Sequence, residues 1–229
     1  MAANLIVLDP PVTVALRRSP RARRFTLRVS SRDGSVHLTL PCRTAMAEAR
    51  QFLERQEGWL RERLASAPQP VEVGLGAVLP LEGRPVRLVS GQGRVPAVSG
   101  DVLSLPGPAE RAGVRAAAFL KALARDRFTA AADRHAVHLR RCPGRITLRD
   151  TGSRWGSCTY RGDLMFSWRL VMAPPEVLDY VAAHEAAHLV EMNHSDRFWA
   201  IVARLSPDHA RHRAWLRAHG ADLHRYRFG

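Results

Sequence analysis

A His-Glu-x-x-His motif gives this chain its clearest chemistry, and it is formed by His184, Glu185 and His188. On a helix, residues four apart lie on one face a turn apart, so both imidazoles can reach a single point. Two imidazoles at this spacing are typical of a zinc site. Glu185 lies about 100° around the helix from His184, too far to be a natural third ligand but near enough to reach a water on the metal. We therefore expect Glu185 to act as a general base.

A catalytic zinc ion usually has three protein ligands, so the motif needs one more. The candidates that follow it are Glu191, His194, Asp208 and His209. His194 is favoured, because Asn193 can adopt a left-handed backbone, end the helix and turn His194 back toward the metal. Glu191 is the alternative, either as a ligand or as a partner that orients an imidazole. No glutamate follows Glu191, so a later helix cannot supply a glutamate ligand.

The composition is that of a chain with enough apolar residues for a hydrophobic core and a large excess of positive charge. Of the 229 residues 46% are hydrophobic, and 35 basic against 21 acidic residues give a formal net charge of +14. Such a charge attracts anions, which makes nucleic acid, nucleotides and acidic peptides candidate partners. The arginines are spread along the chain rather than gathered in one tail, which argues against a dedicated nucleic-acid function.

Cysteine content and hydropathy indicate a soluble protein of a reducing compartment. Cys42, Cys142 and Cys158 form no Cys-x-x-Cys pair, so neither a disulfide framework nor a thiolate zinc site is indicated. The apolar run at residues 4–8 is too short for a signal peptide. No run approaches the roughly 18 apolar residues that span a bilayer. We expect a cytoplasmic protein with no membrane partner.

The N-terminal half has the pattern of a β-rich region with one helix. Alternating apolar residues on both sides of Asp33-Gly34 predict a β-hairpin over residues 24–40. Helical spacing of apolar residues predicts one helix, from an N-cap at Thr44 to about Ala65. Residues 66–108 are rich in Pro and Gly between short apolar runs, which predicts a meander of short strands.

The chain beyond this region has mainly helical patterns. An alanine-rich stretch over residues 109–139 predicts one long helix or two helices. Short strands are predicted at residues 146–149 and 164–171. The helix that contains the motif is expected to begin at Pro174-Pro175, because proline is tolerated in a first helical turn.

Two further helices are predicted after the motif. Ser195 is a suitable N-cap for the first, and Gly220 ends the second, which starts after Ser206-Pro207. The fold class is therefore α+β. We expect a β-rich region with one helix over residues 1–108 and a second region over residues 109–229, the two forming one continuous unit.

The run Ser153-Arg154-Trp155-Gly156-Ser157-Cys158 lies between the two late strands and has no apolar periodicity. It predicts a turn, in which Gly156 supplies a backbone freedom that other residues lack. It is equally consistent with a loop beside a functional site, where Arg154 holds a carboxylate or a phosphate. A Cys158 nucleophile paired with His194 is a much weaker alternative, because the His-Glu-x-x-His motif already accounts for the histidines.

Several runs in the second half of the chain resemble the YgjP-like metallopeptidase family, a relative of SprT-type zinc proteins. They are Arg149-Asp150, Arg154–Cys158, Trp168–Leu170, Ala173–Pro175, Tyr180-Val181, the His-Glu-x-x-His motif, Glu191–Ser195 and Phe198-Trp199. These specific motifs cover about residues 145–205. A weaker likeness, which includes the arginine-rich first hairpin, extends over nearly the whole chain.

The resemblance implies one zinc ion held by His184, His188 and His194, with Glu185 as the catalytic acid and base. It also implies a minimal zincin-like core, in which the motif helix packs on a small sheet whose edge takes an extended peptide. A further set of residues is expected to bind substrate or to support the ligands. These are Arg154, Trp155, Gly156, Ser157, Cys158, Glu191 and Asn193.

Zinc-dependent hydrolysis of peptides or unfolded proteins is the function these features favour, with Glu185 activating a zinc-bound water. A metal-dependent hydrolase of nucleotides or phosphate anhydrides is the first alternative, since arginines can neutralise phosphate oxygens. The chain has no Walker-type glycine loop, and it has few carboxylates near the motif, which argues against this alternative. A DNA-associated protein with a structural zinc ion is the second alternative.

Overall fold

Two hydrophobic cores organise this computed structural model, which describes residues 5–30, 34–65 and 69–229. The cores belong to two compact units, residues 1–69 and residues 70–229. The structural boundary therefore precedes the position expected from the sequence, because the strands after residue 70 share a core with the motif helix. The architecture is α+β, as predicted, with a strand-rich N-terminal half followed by a mainly helical part.

The first unit is a four-stranded sheet with two short helices packed on one face. Its elements are β1 (Leu5–Leu8), β2 (Val12–Ser19), β3 (Thr26–Val29), β4 (Val36–Pro41), α1 (Met46–Arg55) and α2 (Glu57–Ala65). The strand order is β1-β2-β4-β3, with β2 and β4 parallel. Strands β3 and β4 are antiparallel with Val29 opposite Val36, which confirms the predicted hairpin. Asp33 of its turn lies outside the described residues.

The single helix predicted from Thr44 to Ala65 is wrong in two respects. The chain breaks at Gln56, between α1 and α2, and Ala45 rather than Thr44 precedes the first helical residue, without a side-chain cap. The Gln56 amide donates to the Leu53 carbonyl as well as to the carbonyl four residues back, so the last turn of α1 tightens and ends. The apolar spacing did not reveal this break, because buried residues continue on the same side in both helices.

The second unit begins with small strands that pack on a long helix. These elements are β5 (Val71–Glu72), β6 (Val78–Leu81), β7 (Arg84–Gly91), β8 (Ala97–Ser99), β9 (Val102–Pro106) and α3 (Ala112–Leu139). A turn at Glu82-Gly83 joins β6 and β7, with φ of 50° and 79° at the two residues. The predicted meander is wrong, however, because the order is β6-β7-β9-β8 and β7 pairs with β9 in parallel.

The remaining elements form the part of the unit that contains the motif. They are β10 (Ile146–Arg149), β11 (Gly156–Cys158), β12 (Leu164–Ser167), α4 (Pro175–Ala187), α5 (Asp196–Leu205), α6 (His209–His219) and β13 (Tyr226–Arg227). The three late strands form a sheet of order β10-β12-β11, and β13 pairs with β5. The long helix predicted over 109–139, the cap at Ser195 and the last helix ending at Gly220 are all confirmed.

Two predictions around the late sheet are wrong. The strand predicted at residues 164–171 ends at Ser167, and Trp168–Met172 is a buried 3₁₀ turn. The turn predicted over Ser153–Cys158 is wrong for its last three residues, since Gly156–Cys158 form the strand β11, antiparallel to β12 at an edge of the sheet. Apolar runs do not distinguish a buried strand from a buried turn, and a three-residue strand is too short to show alternation.

The motif helix α4 lies at the centre of the second unit. It starts with Pro175 in its first turn, as predicted, and it packs against α3, α5, α6 and β11. Ala182, Ala183, Ala186 and Ala187 are fully buried. The long helix α3 is also rich in buried alanines, and small side chains on both helices allow their backbones to approach closely. Among the described residues, no helix combines the length and the apolarity needed to cross a membrane.

Candidate metal centre

Three imidazoles converge at the C-terminal end of α4. His184 lies in the last turn of the helix, His188 is its C-cap, and His194 lies in the segment before α5. One nitrogen from each ring lies within 4.8 Å of the others, and the Nε2 atoms of His184 and His194 are 3.1 Å apart. The structure thus brings together the three residues that the sequence analysis proposed as ligands.

The donor set fits a small cation that prefers nitrogen ligands. With Zn–N distances of about 2.0–2.1 Å, two nitrogens of a tetrahedral site lie about 3.4 Å apart. The 3.1 Å between the His184 and His194 nitrogens is close to this spacing. In the described part of the chain, the three histidines are the group of His, Cys, Asp and Glu side chains whose ligand atoms converge in this way.

Hydrogen bonding and aromatic packing hold two of the rings in place. The Nδ1–H of His188 donates to the Glu191 carbonyl at 3.0 Å, which leaves the Nε2 lone pair of His188 free for a metal. Phe198, fully buried in α5, stacks on His188 with ring centroids 4.5 Å apart and meets the edge of His184 at 4.9 Å. The apolar wall therefore restricts the imidazole orientations.

The histidine environment favours the neutral imidazoles that metals bind. Burial lowers the pKa of His184 to about 4, and the neighbouring His188, His194 and Arg213 add to the shift. Burial also lowers the pKa of His188, although its hydrogen bond to the Glu191 carbonyl opposes the change. Protons therefore compete weakly for these two lone pairs at neutral pH.

Glu185 is buried next to the edge strand β11. The side chain is 5% exposed, and burial raises the pKa of its carboxyl to about 8, against the opposing charge of Arg154. A Cβ atom at Gly156 would lie 2.5 Å from Glu185 Oε1, so the glycine leaves the space that the carboxyl fills. Gly156 does not have positive φ, and the predicted need for backbone freedom at this position is wrong.

The run around β11 is divided between the site and the fold. Arg154, Trp155 and Gly156 line a cavity of about 340 Å³ together with His184 and Glu185. The ring of Trp155 stacks on His224 at a centroid distance of 5.1 Å, which fixes one wall of this cavity. Ser157 lies in β11 opposite Met165 of β12.

Cys158 has no features of a nucleophile. Its Sγ donates to the carbonyl of the adjacent Thr159 at 3.3 Å. Burial raises the pKa of the thiol to about 11, and the nearby Glu185 and Asp163 carboxylates add to the rise. A thiol with a raised pKa is a poor nucleophile, so the alternative in which Cys158 attacks a substrate has no structural support.

The segment between α4 and α5 differs from the prediction. Asn193 is exposed and does not adopt the left-handed conformation, which occurs outside glycine only at Glu82 and Arg140 among the described residues. The helix already ends at Ala187, so the chain has six residues in which to bring His194 back. The Glu191 contact with an imidazole is made by its backbone carbonyl, while its carboxylate lies 3.8 Å from Arg197.

Three polar residues of the cavity beside the centre did not follow from motif spacing. They are Tyr180 of α4 and Arg213 and Arg217 of α6. The two arginines are four residues apart and thus lie on one face of α6, which is the only signal in the sequence that groups them. No local sequence pattern predicts that this face of α6 contacts α4, because the contact depends on how the two helices pack.

Comparison with known proteins agrees with the site. Residues 23–219 of the 229 match the YgjP-like, metallopeptidase domain, and the chain therefore belongs to the YgjP-like family. This confirms the resemblance noted in the sequence. No curated protein and no solved structure matches the chain. Membership of a metallopeptidase family supports a hydrolase that uses a metal ion, and the three histidines are side chains that could hold one.

Proposed function

We propose that this protein is a zinc-dependent peptidase that cleaves extended or unfolded polypeptides. The observation that supports the proposal is the convergence of three imidazoles beside a buried carboxyl, in a chain of a metallopeptidase family. His184, His188 and His194 are the proposed ligands. Three neutral imidazoles suit zinc. When bound, zinc supplies Lewis-acid chemistry and lowers the pKa of water toward 7.

Glu185 is the proposed acid and base. Its carboxylate takes a proton from the attacking water at one Oε atom and then returns this proton to the nitrogen of the leaving amine. Burial raises the pKa of the carboxyl to about 8, so Glu185 holds a proton more strongly than an exposed glutamate does between these two events. Gly156 supports the same role, because it leaves the carboxyl its space beside β11.

Strand β11 is the proposed platform for the substrate backbone. It pairs with β12 on one side and is the last strand of the sheet on the other, so no strand of the described residues pairs with its outer backbone groups. An extended peptide can add to such an edge through main-chain hydrogen bonds. The edge lies next to Glu185, since the carboxyl contacts the position of Gly156. A bound peptide would therefore run past the metal centre.

The test compares Glu185→Gln with a matched variant, Glu176→Gln, which removes an exposed carboxylate from the first turn of the same helix. Both proteins and the unmodified chain are loaded with zinc and assayed on unfolded casein, with and without a chelator, and on ATP. We expect Glu185→Gln to lose about 10²–10⁴-fold in turnover while it keeps its zinc, because only the proton transfer is removed. Glu176→Gln should cleave casein like the unmodified chain.

Two results would contradict the proposal. One is casein cleavage by zinc-loaded Glu185→Gln at the unmodified rate. The other is chelator-sensitive hydrolysis of ATP with no cleavage of casein, which would favour a phosphate-anhydride hydrolase instead.

A further inference from the structure

The cavity beside the metal centre has a strongly cationic wall. It measures about 340 Å³, within the range of about 300–1,000 Å³ that is common for ligand sites. His184 and Glu185 line it, and so do Arg154, Arg213 and Arg217. A ligand group in this cavity would therefore lie next to the proposed reacting atoms.

None of the three arginines forms an ion pair within the part of the chain that the structure describes, and Arg154 is the one whose charge acts on the Glu185 carboxyl. No carboxylate oxygen lies within 4.0 Å of their guanidinium nitrogens there. A second cavity of about 530 Å³ in the same unit differs in this respect. Its arginines are paired, Arg127 with Glu82 at 2.6 Å and Arg134 with Asp179 at 2.7 Å. The cavity at the metal centre therefore presents three guanidinium groups that have no carboxylate of the described residues within ion-pair distance, unlike the arginines of this second cavity.

The arginines are attached to elements that pack around the motif helix. Arg213 and Arg217 lie one turn apart on α6, which packs on α4. The Arg213 guanidinium lies 4.9 Å from the ring centroid of Trp199, a cation–π contact that limits its freedom. Arg154 lies in the segment before β11, next to Trp155, whose ring is stacked on His224. Two elements thus present guanidinium groups to one space.

Guanidinium groups bind carboxylates through paired, charge-assisted hydrogen bonds. A cleft lined by one sign of charge also concentrates ligands of the opposite sign. We propose that this cavity is a specificity subsite that binds a carboxylate of the peptide substrate next to the scissile bond. The inference rests on the proposed peptidase function. The carboxylate belongs either to an acidic side chain or to the C-terminus of the peptide.

The test uses the zinc-loaded full chain and a set of peptides that differ at one position beside the cleaved bond. This position is Glu or Gln, and each peptide has a free or an amidated C-terminus. We expect kcat/KM to be higher by roughly ten-fold or more for the peptide with the recognised carboxylate. The Glu/Gln pair reports on a side-chain carboxylate, and the free/amidated pair reports on the C-terminus.

Matched variants identify the cavity as the source of the preference. In the double variant Arg213→Gln, Arg217→Gln, the ratio of kcat/KM for the peptide with the recognised carboxylate to kcat/KM for the peptide without it should fall close to one. Arg211→Gln, which removes an exposed arginine of the same helix that does not line the cavity, should keep the preference of the unmodified chain. A thermal melt and a zinc determination on each protein check that fold and metal content are equal.

A measurement of peptide binding shows whether a negative result contradicts the subsite or the proposed peptidase function. Fluorescence anisotropy of the same labelled peptides is measured on zinc-loaded Glu185→Gln, with and without the two arginine substitutions. Cleavage without a preference, or a preference that survives the double variant, would overturn the subsite. If no peptide is cleaved but binding shows the arginine-dependent preference, the subsite stands and the peptidase function fails. Absence of both cleavage and preference in binding overturns both.

Discussion

At the scale of single residues, the position of the Glu185 carboxyl depends on a missing side chain. Gly156 in β11 lies against the Oε1, Cγ and Cδ atoms of Glu185, and an added Cβ would approach them to between 2.5 and 2.8 Å. Real Cβ atoms do not come this close to other heavy atoms, so the carboxyl would have to move. Glu185 is 5% exposed, which leaves it little room to do so.

Gly156→Ala should therefore displace the carboxyl without removing any proposed ligand. We expect casein cleavage by the zinc-loaded variant to fall by about 100-fold, since a shift of about 1 Å in a reacting group has this order of effect. Zinc content should not change. Gly152→Ala is the control, because no heavy atom lies within 4 Å of its added Cβ and its φ is not positive. Equal activity of the two variants would show that Glu185 tolerates the added methyl group.

The residues of the site differ in how far the sequence predicts them. The spacing of His184, Glu185 and His188 is a property of one helix, so it is readable locally and needs no knowledge of the fold. The need for glycine at position 156 cannot be predicted in this way, because its close neighbour Glu185 is 29 positions away along the chain. The same holds for Arg213 and Arg217, whose place beside the site depends on the packing of α6 on α4.

At the scale of elements, hydrogen bonds to one aspartate join the motif helix to α3. The Nε2–H of buried His135 donates to Asp179 Oδ1 at 3.0 Å, and Arg134 donates to the same oxygen at 2.7 Å. Burial alone would raise the pKa of Asp179, but the hydrogen bonds and charges of His135 and Arg134 outweigh it and lower the pKa from 3.8. The ionised carboxylate therefore stabilises the contact between α3 and α4.

Asp179→Asn should reduce the free energy of unfolding at pH 7 by about 1–3 kcal/mol, the usual cost when a buried polar group loses a charged partner. A carboxyl with a lowered pKa stabilises the fold above its ordinary pKa of 3.8, and this stabilisation is lost as pH falls through the lower folded-state value. The difference between the unmodified chain and the variant should therefore shrink below pH 3.8. Urea titrations over a pH series measure it.

Asp133→Asn is the control for this experiment. Asp133 is exposed on α3, and no ion pair involves it in the described part of the chain, so its loss should change the free energy of unfolding by less than about 0.5 kcal/mol. An Asp179→Asn protein as stable as the unmodified chain at pH 7 would show that the His135 contact contributes nothing.

Long elements follow from the sequence better than short ones. The 28 residues of α3 and the proline-initiated start of α4 give many local signals that agree, and both helices form as predicted. Strand β11 has three residues and exists because β12 lies beside it, so its own sequence gives no periodicity to detect. The buried turn at Trp168–Met172 was taken for a strand because burial on all sides produces a continuous apolar run in either structure.

At the scale of the whole molecule, each unit has a core of its own. The larger cluster of buried residues runs from Val73 to Phe228, and the smaller one runs from Ile6 to Leu60. Neither cluster takes a residue from the other unit. The family match begins at residue 23 and thus includes most of the first unit as well as the metal centre. Each core is large enough to be treated as a separate source of stability.

A fragment of residues 70–229 should therefore fold cooperatively and bind zinc without the first unit. Its start is set by β5, since the Val71 amide donates to the Arg225 carbonyl at 2.9 Å and Val73 is 7% exposed in the core. A fragment that begins at Val78 lacks this strand. Its free energy of unfolding should be lower than that of the 70–229 fragment by about 2 kcal/mol or more, the cost of losing one buried valine and its strand pairing. Urea titration and zinc determination on both fragments and the full chain measure these differences. A non-cooperative transition in the 70–229 fragment would show that the second core depends on the first unit, because every residue of that core is present in the fragment.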